Sequence, residues 1–566
     1  MKNRKRFIIL TVLVILAVLV KFNVDTDRFE EVDSFRGANI HKEVFNPLIA
    51  QSVNKAGLVA NLNGQIYTQK DGVYMSDKLS IMIPASILME GLDCAAHLYN
   101  DDTLLIQQQN NEIYLSCESN TMLVNGEAVA IDDVMVIKDS VAYVPLQQLE
   151  GHLSFVLNWN VNTNTAVGTT TLETSFLPSA YDLREKGRVG ATKDQGIYGT
   201  CWAFASLGAI ESGLLPMDSM YFSAEHMALN DNFNTGMDAG GEYSMGMAYL
   251  LSWKGPVLES EDVYGDGVTP EHLLAKKHVQ EIQILQSKDY EAIKEAIFKY
   301  GAVQSSVYMN LWSKVHTSTY YNAKEYAYYY NGKQEINHDI LIIGWDDHYS
   351  RDNFTITPEK DGAFLCLNSW GTEFGDHGAF WVSYEDVHIG TRNISYTVIE
   401  DADNYDYIYQ SDLCGWIAQL GYGQQEIYAA NVYRAESNER VEAVGFYATD
   451  VNTGYEIYGV AEFTDESSLN NRVLLAKGTK KEAGYYTIEL DTLMEISAGN
   501  KYAIVIKITT PNSKLPLAVE YADPNGKGNV DLSDGESYIS ISGMVWERAE
   551  ETKQCNVCLK AYTKKR

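Results

Sequence analysis

Basic residues are scarce. Among 566 residues the chain has 44 Lys and Arg against 76 Asp and Glu, a formal net charge of −32. So acidic a body repels phosphate-rich partners, so nucleic acid is excluded as a ligand and an anionic membrane surface is not sought. Cysteine is scarce as well. The seven are Cys94, Cys117, Cys201, Cys366, Cys414, Cys555 and Cys558. That is too few to staple a chain of this length, so the fold must rest on packed cores. Hydrophobic residues at 45% are enough to build them. Cys555-x-x-Cys558 has no second half, which argues against zinc. Cys94 with Cys117, and Cys414 with Cys555 or Cys558, are the pairs that flanking disulfides would use. Neither a metal nor a cofactor is expected.

The amino terminus holds one long apolar run, Phe7–Val20, behind the basic start MKNRKR. At 14 residues it is shorter than the roughly 20 needed for an ordinary membrane span. Lys21 and Phe22 follow it, so no small-x-small cleavage site is present. Residues 1–21 therefore read as a signal peptide or an amino-terminal membrane anchor through residues 7–20. Either places the rest of the chain outside the cell or at its surface. Residues 22–57 are polar and read as a linker or pro-like segment.

What remains is too long for one domain. Residues 58–172 show short alternating strands between the turn pairs Asn63-Gly64, Asp71-Gly72 and Asn125-Gly126. Two halves echo each other, from Leu79 and from Asp139, each a strand, a Pro, a short helix and another strand. Residues 173–400 mix apolar helical runs with buried strands. Residues 401–566 alternate again, in VEAVGFYATD, GYEIYGVAEF and KYAIVIKI, and predict a β-sandwich. The fold class is α+β, multidomain.

The chemistry gathers in the middle region. Cys201 follows a turn of small residues and opens the Ala-rich run CWAFASLGAIESGLL, which predicts a buried helix. A thiol at a helix N-terminus meets unpaired N–H groups and partial positive charge, both of which favour the thiolate. Six residues upstream, the amide of Gln195 can donate to a developing oxyanion together with the N–H of Cys201. His338 begins the apolar strand HDILIIGW and suits a general base. Asn368, at the end of the strand FLCLN, can fix the imidazole tautomer, and Trp370 can shield that hydrogen bond from water. Cys, His and Asn in this order form a thiol-nucleophile arrangement.

Around these residues the chain resembles a papain-family cysteine peptidase. The resemblance runs from LPSAYDLREKGRVGATKDQG through QGxxGxCWAF, AGGEYSMGMAYL, GPVLESEDVYG, NHDILIIGW and LNSWGTEFGDHGAFWV. It implies a two-lobed domain with Cys201 on a helical lobe and His338 and Asn368 on a β lobe. It makes Cys201 the nucleophile, ion-paired with His338, and Gln195 the oxyanion donor. Gly240, Gly241, Glu242, Tyr243, Ile336 and Trp370 are the expected substrate-binding residues. Many relatives carry a disulfide near the nucleophile, and its two places here hold Tyr198 and Asp238. Residues 58–172 resemble the small stalk domain at the amino end of copper amine oxidases. Their two histidines, His97 and His152, form no cluster and read as surface residues, so copper is not implied. Residues 401–566 resemble the lectin-like domain that follows bacterial papain-like peptidases.

These readings predict an exported or surface-anchored cysteine endopeptidase acting on protein or peptide through an acyl-enzyme. The flanking β domains offer contact to cell wall or carbohydrate. Two alternatives stand beside it: a cell-surface adhesin in which the β domains dominate, and a dedicated processing enzyme or transpeptidase.

Overall fold

The computed structural model describes residues 58–566, apart from stretches at 63–64, 93, 101, 109–110, 139–140, 161–164, 171–176, 217, 234, 312–316, 523–527 and 534–535. The targeting segment and the linker of residues 22–57 lie outside the described residues. Among the described residues no helix is long and apolar enough to cross a membrane.

In the amino-terminal unit the two echoing halves meet. Strand Ile81–Pro84 leads into helix Ala85–Leu92, and strand Val141–Pro145 leads into helix Leu146–Leu149. The two strands pair antiparallel, with Tyr143 opposite Pro84 and Pro145 opposite Met82. Each Pro ends its strand where a helix begins, a place where the missing N–H costs little. Asn125 and Gly126 have φ of 51° and 85°, the left-handed pair that a two-residue hairpin requires, and they join Thr121–Val124 to Glu127–Ala130.

This unit docks through Lys186, which bonds Glu112 at 2.8 Å, and Arg188, which lies 3.2 Å from His97 Nε2. His97 is thus an interface residue, not a surface one. Burial and the charge of Arg188 together hold its pKa well below the ordinary histidine value.

The middle region has two lobes. The cysteine helix, Cys201–Leu214, is buried along most of its length, and a second helix, Tyr243–Leu251, packs on it. Ser223 caps Ala224–Asn230, accepting from the His226 N–H at 3.0 Å. The β lobe is built on the histidine strand, His338–Asp346, which lies between Val303–Val307 and the asparagine strand Ala363–Leu367. Gly208 of the cysteine helix faces this strand so closely that an added β-carbon would meet Leu341 at 2.6 Å. The tyrosine-rich stretch 320–330 is tied into this lobe by most of its rings. Tyr321, Tyr328, Tyr329 and Tyr330 are buried, and Ala327–Tyr328 pairs parallel with Ala379–Ser383.

The carboxy-terminal region packs two main sheets on one apolar core, with a three-stranded sheet of Ala418–Leu420, Leu517–Tyr521 and Cys555–Val557 beside them. One main sheet is six-stranded. The other continues the sheet of the β lobe, because the joint strand Lys277–Leu285 pairs on one side with Asn393–Asp401 and on the other with Ala483–Ile496. A single 13-stranded sheet therefore crosses from one domain into the next. No disulfide helps. Cys414, Cys555 and Cys558 are unbridged, and the Cys94 thiol donates to the Leu88 carbonyl at 3.1 Å.

Candidate active site

The cysteine helix and the histidine strand bring Cys201 and His338 to one cavity of about 530 Å³. Thr200 precedes the helix, but its hydroxyl turns to Tyr264 at 2.5 Å and makes no cap bond. The first N–H groups of the helix are therefore not consumed by a side-chain cap. The backbone N–H groups of Asp339, Trp202 and Cys201 all act on the sulfur in favour of its charged form. Asp339 follows His338, so these contacts come from both sides of the cleft.

His338 Nε2 lies 2.8 Å from Asn368 Oδ1. That oxygen also accepts from the Ser369 N–H at 2.8 Å, so the ring nitrogen must be the donor. The proton on Nε2 leaves Nδ1 as the basic nitrogen. Asn337 fixes the strand start by exchanging two bonds with Met309, at 2.7 and 3.1 Å. Trp370 stands over the imidazole with ring centroids 4.9 Å apart and is itself 8% exposed. It covers the His338–Asn368 bond and is not among the residues lining the cavity.

Gln195 sits on a loop that pairs with the chain after Asn368. Its N–H donates to the Ser369 carbonyl at 2.8 Å, and its Oε1 accepts from the Ser369 hydroxyl at 2.7 Å. Its Nε2 donates to the Tyr198 carbonyl at 2.8 Å, which leaves the second amide hydrogen for another acceptor. The loop is tied back to the cysteine helix by a buried ion pair, Lys193 with Glu211 at 2.5 Å.

Burial pushes the Cys201 thiol up to about 12, helped by the charge of Asp339, and pulls the His338 imidazole down to about 4. Either charge alone is thus disfavoured in this enclosed site. Proton transfer from sulfur to Nδ1 creates both charges together, and their attraction offsets part of each penalty. A standing ion pair, as the sequence suggests, meets this desolvation cost at rest.

Gly240, Gly241, Glu242 and Ile336 line the cavity with Cys201 and His338, whereas Tyr243 lines the neighbouring one. Four lining residues carry no local sequence signal: Asp339, Arg392, Trp416 and Ile417. Asp339 is buried beneath the cleft, accepting from Ser306 at 2.6 Å and Gln304 at 3.0 Å. Arg392 pairs with Glu242 at 3.5 Å on the rim. Between Tyr198 and Asp238, the two places that the resemblance assigns to a disulfide, Gly199 closes the gap. Its N–H donates to the Met237 carbonyl at 2.8 Å, and a β-carbon there would meet the Gly240 nitrogen at 2.7 Å.

The family profile of papain family cysteine proteases matches residues 177–399. A clostridial cysteine protease, Cwp84, solved after propeptide cleavage, is 30% identical, with a TM-score of 0.62 over 69% of this chain and 100% of that one. The chain belongs to the papain family of cysteine proteases. Profiles of a lectin-like domain and a copper amine oxidase N-terminal domain match residues 408–563 and 61–167. A second structure holds the cysteine protease and lectin-like domains of Cwp84, a surface layer associated protein of Clostridium difficile. It is 29% identical, with a TM-score of 0.60 over 70% of this chain and 90% of that one. Cysteine proteinase B of Leishmania mexicana is 31% identical over 36% of this chain and 44% of its own length. Cathepsin K of Mus musculus is 27% identical over 36% and 58%. The chain spans about half the length of these curated relatives.

Proposed function

We propose that this papain-family chain is a cysteine endopeptidase, with Cys201 as nucleophile, His338 as base and acid, Asn368 as its orienting partner and Gln195 as an oxyanion donor. The observation that carries the reading is the 2.8 Å bond from His338 to Asn368, in a cavity that also holds Cys201. That bond leaves Nδ1 free to take the thiol proton. Sγ then bonds to the carbonyl carbon, and the negative oxygen is met by the Cys201 N–H and the second amide hydrogen of Gln195. The C–N bond breaks as the imidazolium gives its proton to the leaving amine. Water, deprotonated by His338, cleaves the thioester and restores the thiol.

The domain divisions near residues 172 and 400 belong to this reading, as does action at the cell surface. The likeness to a surface layer associated protein and the basic, apolar amino terminus support the location. Cell-wall or carbohydrate contact would fall to the carboxy-terminal sandwich. The test is a peptide-library digest by the purified chain, read by mass spectrometry. New termini that vanish in Cys201→Ala support the reading, and digestion unchanged in that variant refutes it.

A further inference from the structure

The cleft does not end at the catalytic lobes. Two cavities lie side by side, of about 530 and 230 Å³, and both are lined by Glu242, Ser244, Trp416 and Ile417. The first holds Cys201 and His338. The second is walled by Tyr243, Met247, Ile284 and Tyr447. Trp416, Ile417 and Tyr447 all come from beyond residue 401, so the carboxy-terminal region builds part of both.

This corner is fixed from two directions. Asn232 of the helical lobe donates to the Leu413 carbonyl at 2.9 Å and accepts from the Cys414 thiol at 3.6 Å. Gly415, at φ 65°, fits where a β-carbon would lie 2.9 Å from the Tyr447 hydroxyl and 3.6 Å from Ala248. On the other side the Ile417 N–H donates to the Val519 carbonyl at 3.2 Å. Ile417 is nonetheless 40% exposed, a large apolar side chain held open on a rigid corner beside the nucleophile. Its continuity with the cavity of Cys201 points to an extended polypeptide as the occupant.

We infer that the carboxy-terminal region is part of the substrate site: an extended peptide lying at Cys201 crosses Trp416 and Ile417 and places an apolar or aromatic side chain against them and into the second cavity. Met245, at 5% exposure, supplies an adaptable apolar wall in the first cavity, and Met247, at 3%, one in the second. The Glu242–Arg392 pair keeps the rim polar and would leave the peptide backbone hydrated.

The inference rests on the peptidase reading for what the peptide is, but its test needs no turnover. Full-length Cys201→Ala is titrated with fluorescein-labelled extended peptides that differ at one position, carrying Phe, Leu, Ser or Glu. Scanning that position along the peptide should find one place where Phe and Leu bind about tenfold more tightly than Ser and Glu, the size expected from burying one apolar side chain. Adding Ile417→Ser or Trp416→Ala should abolish that preference while the Ser peptide binds as before. Because Trp416 also packs on the core, Ile417→Ser is the deciding variant, checked for an unchanged melting temperature. In the chain with Cys201 intact, the same substitution should raise KM for the Phe peptide about tenfold more than for the Ser peptide. A preference that survives both substitutions, or no preference at any position, overturns the inference. A chain that binds selectively but cleaves nothing would instead refute the peptidase reading.

Discussion

Gly484 lies against Ile282 with no room for a side chain: a β-carbon on it would stand 1.9 Å from the Ile282 carbonyl oxygen. With φ at 145°, this glycine sits where the joint strand Lys277–Leu285 meets the carboxy-terminal sandwich. Gly484→Val should therefore force the two strands apart. Two separated thermal transitions in place of one would be seen by calorimetry, and a single unchanged transition would show that the joint does not couple the domains.

The loop carrying Gln195 is held by the pair Lys193–Glu211, whose side chains are 7% and 3% exposed. Removing one partner leaves a buried charge uncompensated, which typically costs about 3–5 kcal/mol. Lys193→Met should lower stability by that order in urea melts. It should also lower kcat, since the loop carries Gln195, the proposed oxyanion donor. An effect on stability with kcat unchanged would separate the pair from catalysis.

Without a thiolate beside it, the His338 imidazole should stay neutral. Burial lowers its pKa from the ordinary 6.5 to about 4. Between those values the unfolded chain binds the proton and the folded chain does not. The histidine therefore contributes stability that is full above about pH 6.5 and lost as pH falls toward 4, on the order of 3 kcal/mol. In Cys201→Ala, nuclear magnetic resonance of labelled histidine should show His338 neutral at pH 5.5. Titration at or above 6.5 would contradict the enclosed site.

The elements that carry the proposed catalytic residues are legible because each lies in a dense local run: Cys201 at a helix start, His338 at a strand start, Asn368 at a strand end. The echoing halves of the amino-terminal unit are legible for the same reason, since strand, Pro and helix follow in order. What escapes is assembled at a distance. His97 reads as a surface residue because its partner, Arg188, lies 91 positions away. Trp416 and Ile417 carry no local pattern, and only the fold brings them to Cys201. The joint between sheets is equally hidden, because alternation shows that a strand is half-buried and not which strand covers its edge.

Asn368→Ala should be milder than His338→Ala. In the proposed mechanism Asn368 orients the ring through the 2.8 Å bond but transfers no proton. Its loss should cost mainly kcat, with KM close to the parent value. Equal loss in both variants would give Asn368 a larger part than orientation.

The most direct test of the central claim is to acid-quench the full chain during turnover of an activated ester and map the acyl group by mass spectrometry. The account predicts one acyl group per chain on the peptide containing Cys201, absent in His338→Ala at the same quench time. Product release with no acylated chain, or an acyl group on any other residue, would contradict it.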